Sequence, residues 1–472
     1  MIYFYEFNKN IMFFTKNASI LSVNENVFST NMRQNMNLPF KKGIISLVLF
    51  FGIVSGQDAP TGWSYGGVPA IAYNSDTGFL YGAILNIYNY GDGSQYPDYQ
   101  HSTYLEWSRT TKGSGINRIL FDSKYLLPWD LRITADLSYL TEAALPFYGF
   151  NGYEAGYNSN YEDDEHGAYK SRVYYRHARD ILKFTADFQK QLLREHNLRG
   201  LLGFGYHDSE IGTVDIDKLN EGKDAEDKLP EVDLLYDTFV KRAVFIEQEA
   251  IGGLTNFVKV GLVFDTRDNE PNPMSGIWTE ALVTTVPSGL GNDFSYTLLT
   301  ATHRQYFTLL ERDLSLAYRL AYQGTIDGQI PFFMLPFIQS SFKTDEGLGG
   351  SKTLRGILKN RVVGDAVGFA NLEARWKFWR TKIGGQNLYL ALNAFVDGGQ
   401  VINRFASSGY QQYYDDVINF WGKAKDDELH IAYGGGFRIA LNENFIVAID
   451  YGLAADEQDG NSGLYIGLGY LY

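Results

Sequence analysis

The sequence predicts an all-β fold: a 16-stranded antiparallel transmembrane β-barrel with one outer loop folded inward. Three observations carry that expectation. Segments of roughly 10–14 residues alternate apolar and mixed side chains with a period of two, from about residue 65 to the end. Tyr (34) and Phe (32) are abundant, as the girdles at the two faces of a membrane require. An export-type segment precedes the first strand.

The N-terminal part comes first. Residues 36–56 read as a signal peptide. Lys41 and Lys42 give a positive start, Gly43–Val54 an apolar run, and Val54-Ser55-Gly56 a small-residue cleavage site before Gln57. The run is shorter than the ~20 apolar residues a spanning helix needs. Residues 1–35 are expected to be an upstream extension from a mis-assigned start, with Met36 the true initiator. Residues 57–65 form a short periplasmic N-terminus, and the barrel takes 66–472.

The expected strands are 66–74, 78–89, 102–111, 116–127, 130–141, 178–192, 197–208, 253–265, 275–287, 292–307, 311–323, 363–378, 387–398, 429–441, 443–453 and 462–472. The eighth shows the pattern: Val258, Val260, Leu262 and Phe264 share one face, against Lys259, Gly261 and Asp265. The eleventh sets Leu314, Leu316, Tyr318 and Leu320 against Ser315, Ala317 and Arg319. The thirteenth sets Leu388, Leu390, Leu392 and Val396 against Tyr389, Asn393, Phe395 and Asp397. Such lengths match the ~9–11 residues a tilted strand uses to cross a bilayer. Closure follows, because an open edge in lipid leaves backbone groups unpaired. Long connections at 142–177, 209–252, 324–362, 399–428 and 454–461 all follow odd-numbered strands. Tight ones, such as Pro128–Trp129 and the Asn442 turn, follow even ones. That asymmetry suits short periplasmic turns and long outer loops. The connection 90–101 is a long exception, and 168–177 reads as an outer extension of the sixth strand.

Composition narrows function. The balance of 41 basic and 55 acidic residues, −14 overall, argues against nucleic-acid binding. With 0 Cys there is no disulfide scaffold and no thiolate site. No metal site and no cofactor are expected. None of the 7 His belongs to an HExxH motif, and no GxSxG elbow occurs. His303, on the tenth strand, is the one tempting base on a barrel wall, but it lacks an ordered Ser partner, so no catalytic residue is named. The acidic stretches Glu162–Glu165 and Asp215–Asp227 read as solvated charge.

Three separated pieces converge on a site. Gly349-Gly350-Ser351-Lys352-Thr353-Leu354-Arg355-Gly356-Ile357 lies in a long outer loop. Asn371-Leu372-Glu373-Ala374-Arg375 is on the twelfth strand, and Phe395-Val396-Asp397-Gly398-Gly399 ends the thirteenth. Alternation turns Glu373 and Asp397 into the lumen. The loop can then set the planar Arg355 fork between two carboxylates, with Gly356 permitting the turn. In these pieces the chain resembles the outer-membrane assembly and transport family (BamA/TamA-like, bacterial surface antigen type). Its hallmark is an Arg-Gly loop tucked into a 16-stranded barrel. Further similarity lies in Phe264-Asp265-Thr266-Arg267-Asp268-Asn269 with Pro273 and Gly276, in Gly67–Tyr73 with Thr77-Gly78, and in the C-terminal Tyr465–Tyr472.

The resemblance implies a bacterial outer-membrane location and a non-enzymatic role in protein insertion or transport. Arg355, Gly356, Glu373 and Asp397 would lock the loop. Asp265, Arg267 and Asp268 would brace a periplasmic turn. Gly66, Gly67, Pro69, Gly467, Gly469, Tyr470 and Tyr472 would form a lateral seam between first and last strands, weakened by Pro and Gly. The usual polypeptide-transport-associated domains are not seen, so a periplasmic or membrane partner in trans is expected. Outer-membrane lipids, lipopolysaccharide and client β-barrel or secreted proteins are the other expected partners. The alternatives are a passive pore or solute channel, and a structural or lipid-organising barrel.

Overall fold

The computed structural model describes residues 61–74, 78–96, 98–244, 246–342, 344–383, 386–406, 426–441 and 445–472. The expected leader, the upstream extension and the Asn442 turn lie outside these residues. Sixteen long strands form one antiparallel sheet. They are β1 (Trp63–Asn74), β2 (Gly78–Asn89), β3 (His101–Thr110), β4 (Gly115–Ser123), β5 (Leu131–Pro146), β6 (Arg176–Leu193), β7 (Leu198–Gly212), β8 (Gly252–Asp265), β9 (Gly276–Val286), β10 (Tyr296–Leu310), β11 (Leu314–Gly328), β12 (Ala366–Ile383), β13 (Gln386–Asn403), β14 (His430–Leu441), β15 (Phe445–Ala454) and β16 (Ser462–Leu468). Each pairs with its neighbours in chain order, as hairpins dictate. No described helix is long and apolar enough to cross a membrane.

Alternation sorts the side chains of β12 between two faces. Phe369, Asn371, Glu373, Arg375 and Lys377 are buried, while Leu372 and Trp376 are exposed. A bulge between Lys377 and Trp379 resets the register against β13. Phe378 and Trp379 therefore both reach the exposed surface, which widens the aromatic girdle at this edge. The same logic exposes Val260 and Leu262 on β8 and Leu392 and Val396 on β13. The exposed face is apolar, and the inner face carries buried Arg319, Arg375 and Arg438. This inverts a soluble sandwich and fits a barrel wall in lipid.

The outer loops fill the mouth. Phe147 and Phe150 from the β5–β6 loop pack with Phe332, Phe333 and Phe337 from the β11–β12 loop. Phe239 joins them from the β7–β8 loop, where three short helices form: α1 (Ile216–Asn220), α2 (Leu235–Lys241) and α3 (Glu247–Ile251). A two-residue ladder pairs Phe337–Ile338 with Asp345–Glu346 inside the β11–β12 loop.

Two expectations need correction. Residues 168–175 are not an extension of the sixth strand. They form turns, and β6 begins at Arg176, because Val173, Tyr174 and Tyr175 bury their side chains under the outer cap. The last strand does not run to 472. It ends at Leu468, and Gly469 adopts φ +84, a turn that glycine makes without strain.

Candidate functional site

The β11–β12 loop descends into the lumen and places Arg355 among carboxylates of three strands. Its Nη1 donates to Glu373 Oε2 on β12 at 2.8 Å. Nε and Nη2 donate to Asp397 Oδ2 and Oδ1 on β13 at 2.9 and 3.0 Å, the bidentate geometry of a guanidinium fork. The Arg355 backbone N–H donates to Asp397 Oδ2 as well, at 3.0 Å. Asp450 on β15 stands 3.6 Å away. The guanidinium lies 3.5 Å from the centre of the Phe395 ring. All three lock side chains are fully buried. Burial alone would weaken the charge on Arg355, but Glu373 and Asp397 outweigh it and hold the group protonated.

The turn that delivers Arg355 is set by Gly356. Its φ is +107, and a Cβ there would meet Leu453 N at 2.7 Å. Its N–H donates to the Tyr465 hydroxyl on β16 at 3.0 Å. Facing it, Gly452 on β15 leaves room for the Arg355 carbonyl, 2.5 Å from where a Cβ would lie. Ile357 is buried with Leu348, Leu354, Val362 and Phe369.

The network extends beyond the residues named from the sequence. Glu373 also accepts from Arg375 Nε at 3.1 Å, and Arg375 Nη2 donates to the Tyr472 carbonyl at 2.9 Å. Arg438 and Asp450 pair bidentately at 2.8 and 2.9 Å. Arg319 bonds Asn371, whose amide holds the Thr353 carbonyl at 2.7 Å. Alternation marks Arg375, Arg438 and Asp450 as lumenal, so they were within reach of sequence reasoning. The pairing of β12 to the chain's end was not.

The seam residues divide. Gly66 on β1 lies against the Phe445 ring of β15, 3.1 Å from where its Cβ would be. Gly67 and Pro69 pair with β2, opposite Leu85 and Ala83. Gly467 pairs with Ala448 on β15. Beyond Gly469 the chain turns inward. Tyr470 lies 4.4 Å from the Arg375 guanidinium, and the Tyr472 hydroxyl donates to the Ala317 carbonyl at 3.1 Å. Tyr470 and Tyr472 are therefore lumenal side chains and do not line the seam.

In the β8–β9 turn, Arg267 clasps Asp265 through Nε at 2.9 Å and Nη2 at 2.7 Å. Its guanidinium stacks 4.0 Å over Trp278. Asp268 accepts from the Met274 N–H at 3.0 Å. Glu270 of the same turn reaches across to Arg132 and Lys124. Burial would raise the Glu270 carboxyl, but Arg132, Lys124 and Arg267 hold it well below the usual carboxylate range.

At the outer end, His430 sits between two carboxylates, with Nδ1 2.7 Å from Asp459 and Nε2 2.9 Å from Asp427. Tyr153 stacks on it at 3.9 Å and donates to Asp459 at 2.7 Å. This knot ties three outer loops over the lumen.

Among the described residues no cluster of His, Asp and Glu has a metal-holding arrangement. The arrangement is thus a 16-stranded wall with the Arg355 loop held against its inner face. Comparison with known proteins agrees with a barrel. The model of the Omp85 superfamily domain matches residues 111–471. No curated protein matches the sequence. Among solved structures, BamA from Haemophilus ducreyi lacking POTRA domains 1–3 is similar with a TM-score of 0.50 at 15% identity, over 91% of this chain and 75% of that one. CdiB from Escherichia coli is similar with a TM-score of 0.50 at 10% identity, over 86% of this chain and 61% of that one. This chain thus spans less than two thirds of that CdiB chain.

Proposed function

The chain belongs to the Omp85 superfamily of outer-membrane barrels, and from that premise we propose that it inserts or transports other proteins by parting its wall between β1 and β16. The observation that supports this reading is where the two ends of the wall meet. β16 stops at Leu468, Gly469 turns away after bonding the Ile446 carbonyl of β15, and Gly66 of β1 lies against the Phe445 ring. An edge strand with open N–H and C=O groups is a template for an incoming strand.

The Arg355 lock serves as the counterpart. It holds the plug loop against β12, β13 and β15, so the lumen stays sealed while the edge works. No step calls for a catalytic group. The client is a β-barrel or secreted protein, delivered by a partner in trans.

Photoreactive side chains at Ala70 and Gly467 test the reading in living cells. The expected result is an adduct with another outer-membrane or secreted protein, absent when the probe sits at Leu262 on the far wall. Equal labelling at all three positions would leave the seam with no special role. A passive pore is the rival reading, and the loops across the mouth disfavour it. Purified protein in planar bilayers should show no steady single-channel conductance.

A further inference from the structure

The β11–β12 loop is held to the wall at a second place, away from Arg355. The loop folds as two lobes. The first contains the short ladder of Phe337–Ile338 with Asp345–Glu346, closed where the Gly347 N–H donates to the Pro336 carbonyl at 2.8 Å. The second covers residues 348–362 and is closed where the Val362 N–H donates to the Leu348 carbonyl at 3.1 Å. Inside it the Gly350 N–H donates to the Ile357 carbonyl at 2.9 Å. Arg355 belongs to this second lobe.

Four wall strands grip the backbone of the first lobe. Lys259 Nζ on β8 donates to the Ser340 carbonyl at 2.8 Å, and Gln189 Nε2 on β6 donates to the Ser341 carbonyl at 2.9 Å. The Ser341 N–H donates to Glu280 Oε2 on β9 at 2.9 Å. Gln323 on β11 plays both parts. Its Nε2 donates to the Phe337 carbonyl at 2.7 Å, and its Oε1 accepts from the Gln339 N–H at 2.8 Å. The charges are paired in place: Lys259 also donates to Asp187 Oδ2 on β6 at 2.8 Å, and Arg304 Nη1 on β10 donates to Glu280 Oε1 at 3.1 Å. The Lys259–Asp187 pair crosses β7 at Gly203, where a Cβ would lie 2.1 Å from Asp187 Oδ1. All six side chains are buried. Bonds to charged groups are the stronger class, and a buried backbone group that loses its partner is costly.

The second lobe sits on other strands. Arg355 ties it to β12 and β13, and Gly356 ties it to Tyr465 of β16. The Leu358 N–H donates to the Asp459 carbonyl at 2.9 Å, and Arg361 Nε donates to the Gln458 carbonyl at 2.7 Å, both in the β15–β16 loop. We propose that the loop has two separate locks, the second formed by Gln189, Lys259, Glu280 and Gln323. The first lobe is the fixed end. Unseating Arg355 frees the second lobe, and with it the bonds to the β15–β16 hairpin, while Ser340 and Ser341 stay on the wall. The Arg355 lock then governs β16 without ejecting the loop. The link to β16 rests on the proposed role of the seam; the second lock does not.

Segment-resolved hydrogen exchange of the folded barrel in mild detergent tests this, after correction for intrinsic rates. Arg355→Ala should speed the amides of 356–362 by about tenfold, the size expected when charge-assisted hydrogen bonds are lost, and should leave Gln339 and Ser341 slow. Asp187→Leu with Lys259→Met removes an ion pair whole, so that neither charge is left buried alone. It should speed Gln339 and Ser341 and leave 356–362 slow. Gln189→Leu touches no charge, should act in the same direction, and serves if the double variant does not assemble. Both segments accelerating together in any of these variants, or neither accelerating, would overturn the proposal. The seam is judged separately by the Ala70 adduct, which these outcomes leave untouched.

Discussion

At the scale of single residues, the lock is defined by what happens when one partner goes. Arg355→Ala leaves Glu373 and Asp397 buried without their cation. Breaking a buried pair costs ~3–5 kcal/mol. The folded barrel should therefore lose its compact gel mobility at a lower temperature than the wild type, and Glu373→Gln should shift it less. Gly356→Ala should act in the same direction although it touches no charge, because φ +107 strains any other residue and its Cβ meets Leu453. Unchanged heat-modifiable migration in all three variants would mean that the loop is held elsewhere. Arg355, Glu373 and Asp397 were legible because alternation assigns a face to every strand residue and Arg-Gly marks a tight turn. Asp450 and Arg438 obey the same alternation but lie in no motif, so nothing drew attention to them. Tyr472 was illegible for a different reason. Tyr470 and Tyr472 alternate like a girdle-ended strand, and only the lumenal arginines that take them in explain why the strand stops early.

At the scale of elements, the sixteen strands were readable and the loops were not. A strand in lipid answers to one local rule, the period of two. The outer loops answer to packing across the mouth, where Phe147, Phe239 and Phe332 meet from three separate connections. α3 shows what such packing does to a titratable group. Burial pushes Glu249 up to about 7 from an ordinary 4.5. The native loop then binds this proton more tightly than the opened loop. Its contribution is fully present below pH 4.5 and is lost as pH rises through about 7. Amides of α3 should thus exchange more slowly at pH 5 than at pH 8, after correction for intrinsic rates. Glu249→Gln should remove the difference. Faster relative exchange at the lower pH would reverse the sign and refute the assignment. The tail offers a second test at this scale. Tyr472→Phe removes the bond to the Ala317 carbonyl and should destabilise the lumenal tail by about 1 kcal/mol, seen as faster exchange of the β11 amides next to it.

At the scale of the whole molecule, the aromatic cluster of the long loops, the Arg355 network and the Glu270 bridges each tie separate parts of the chain together. The proposed reading has the wall part between β1 and β16. The central claim is that traffic uses that edge, and the absence of cysteine allows it to be shut at will. Gly66→Cys with Phe445→Cys joins β1 to β15 where the two strands already touch. The decisive measurement is the yield of the Ala70 photo-adduct in this double variant, oxidised and then reduced. The account predicts no adduct while the disulfide is closed and recovery on reduction. A full yield with the disulfide closed would contradict it.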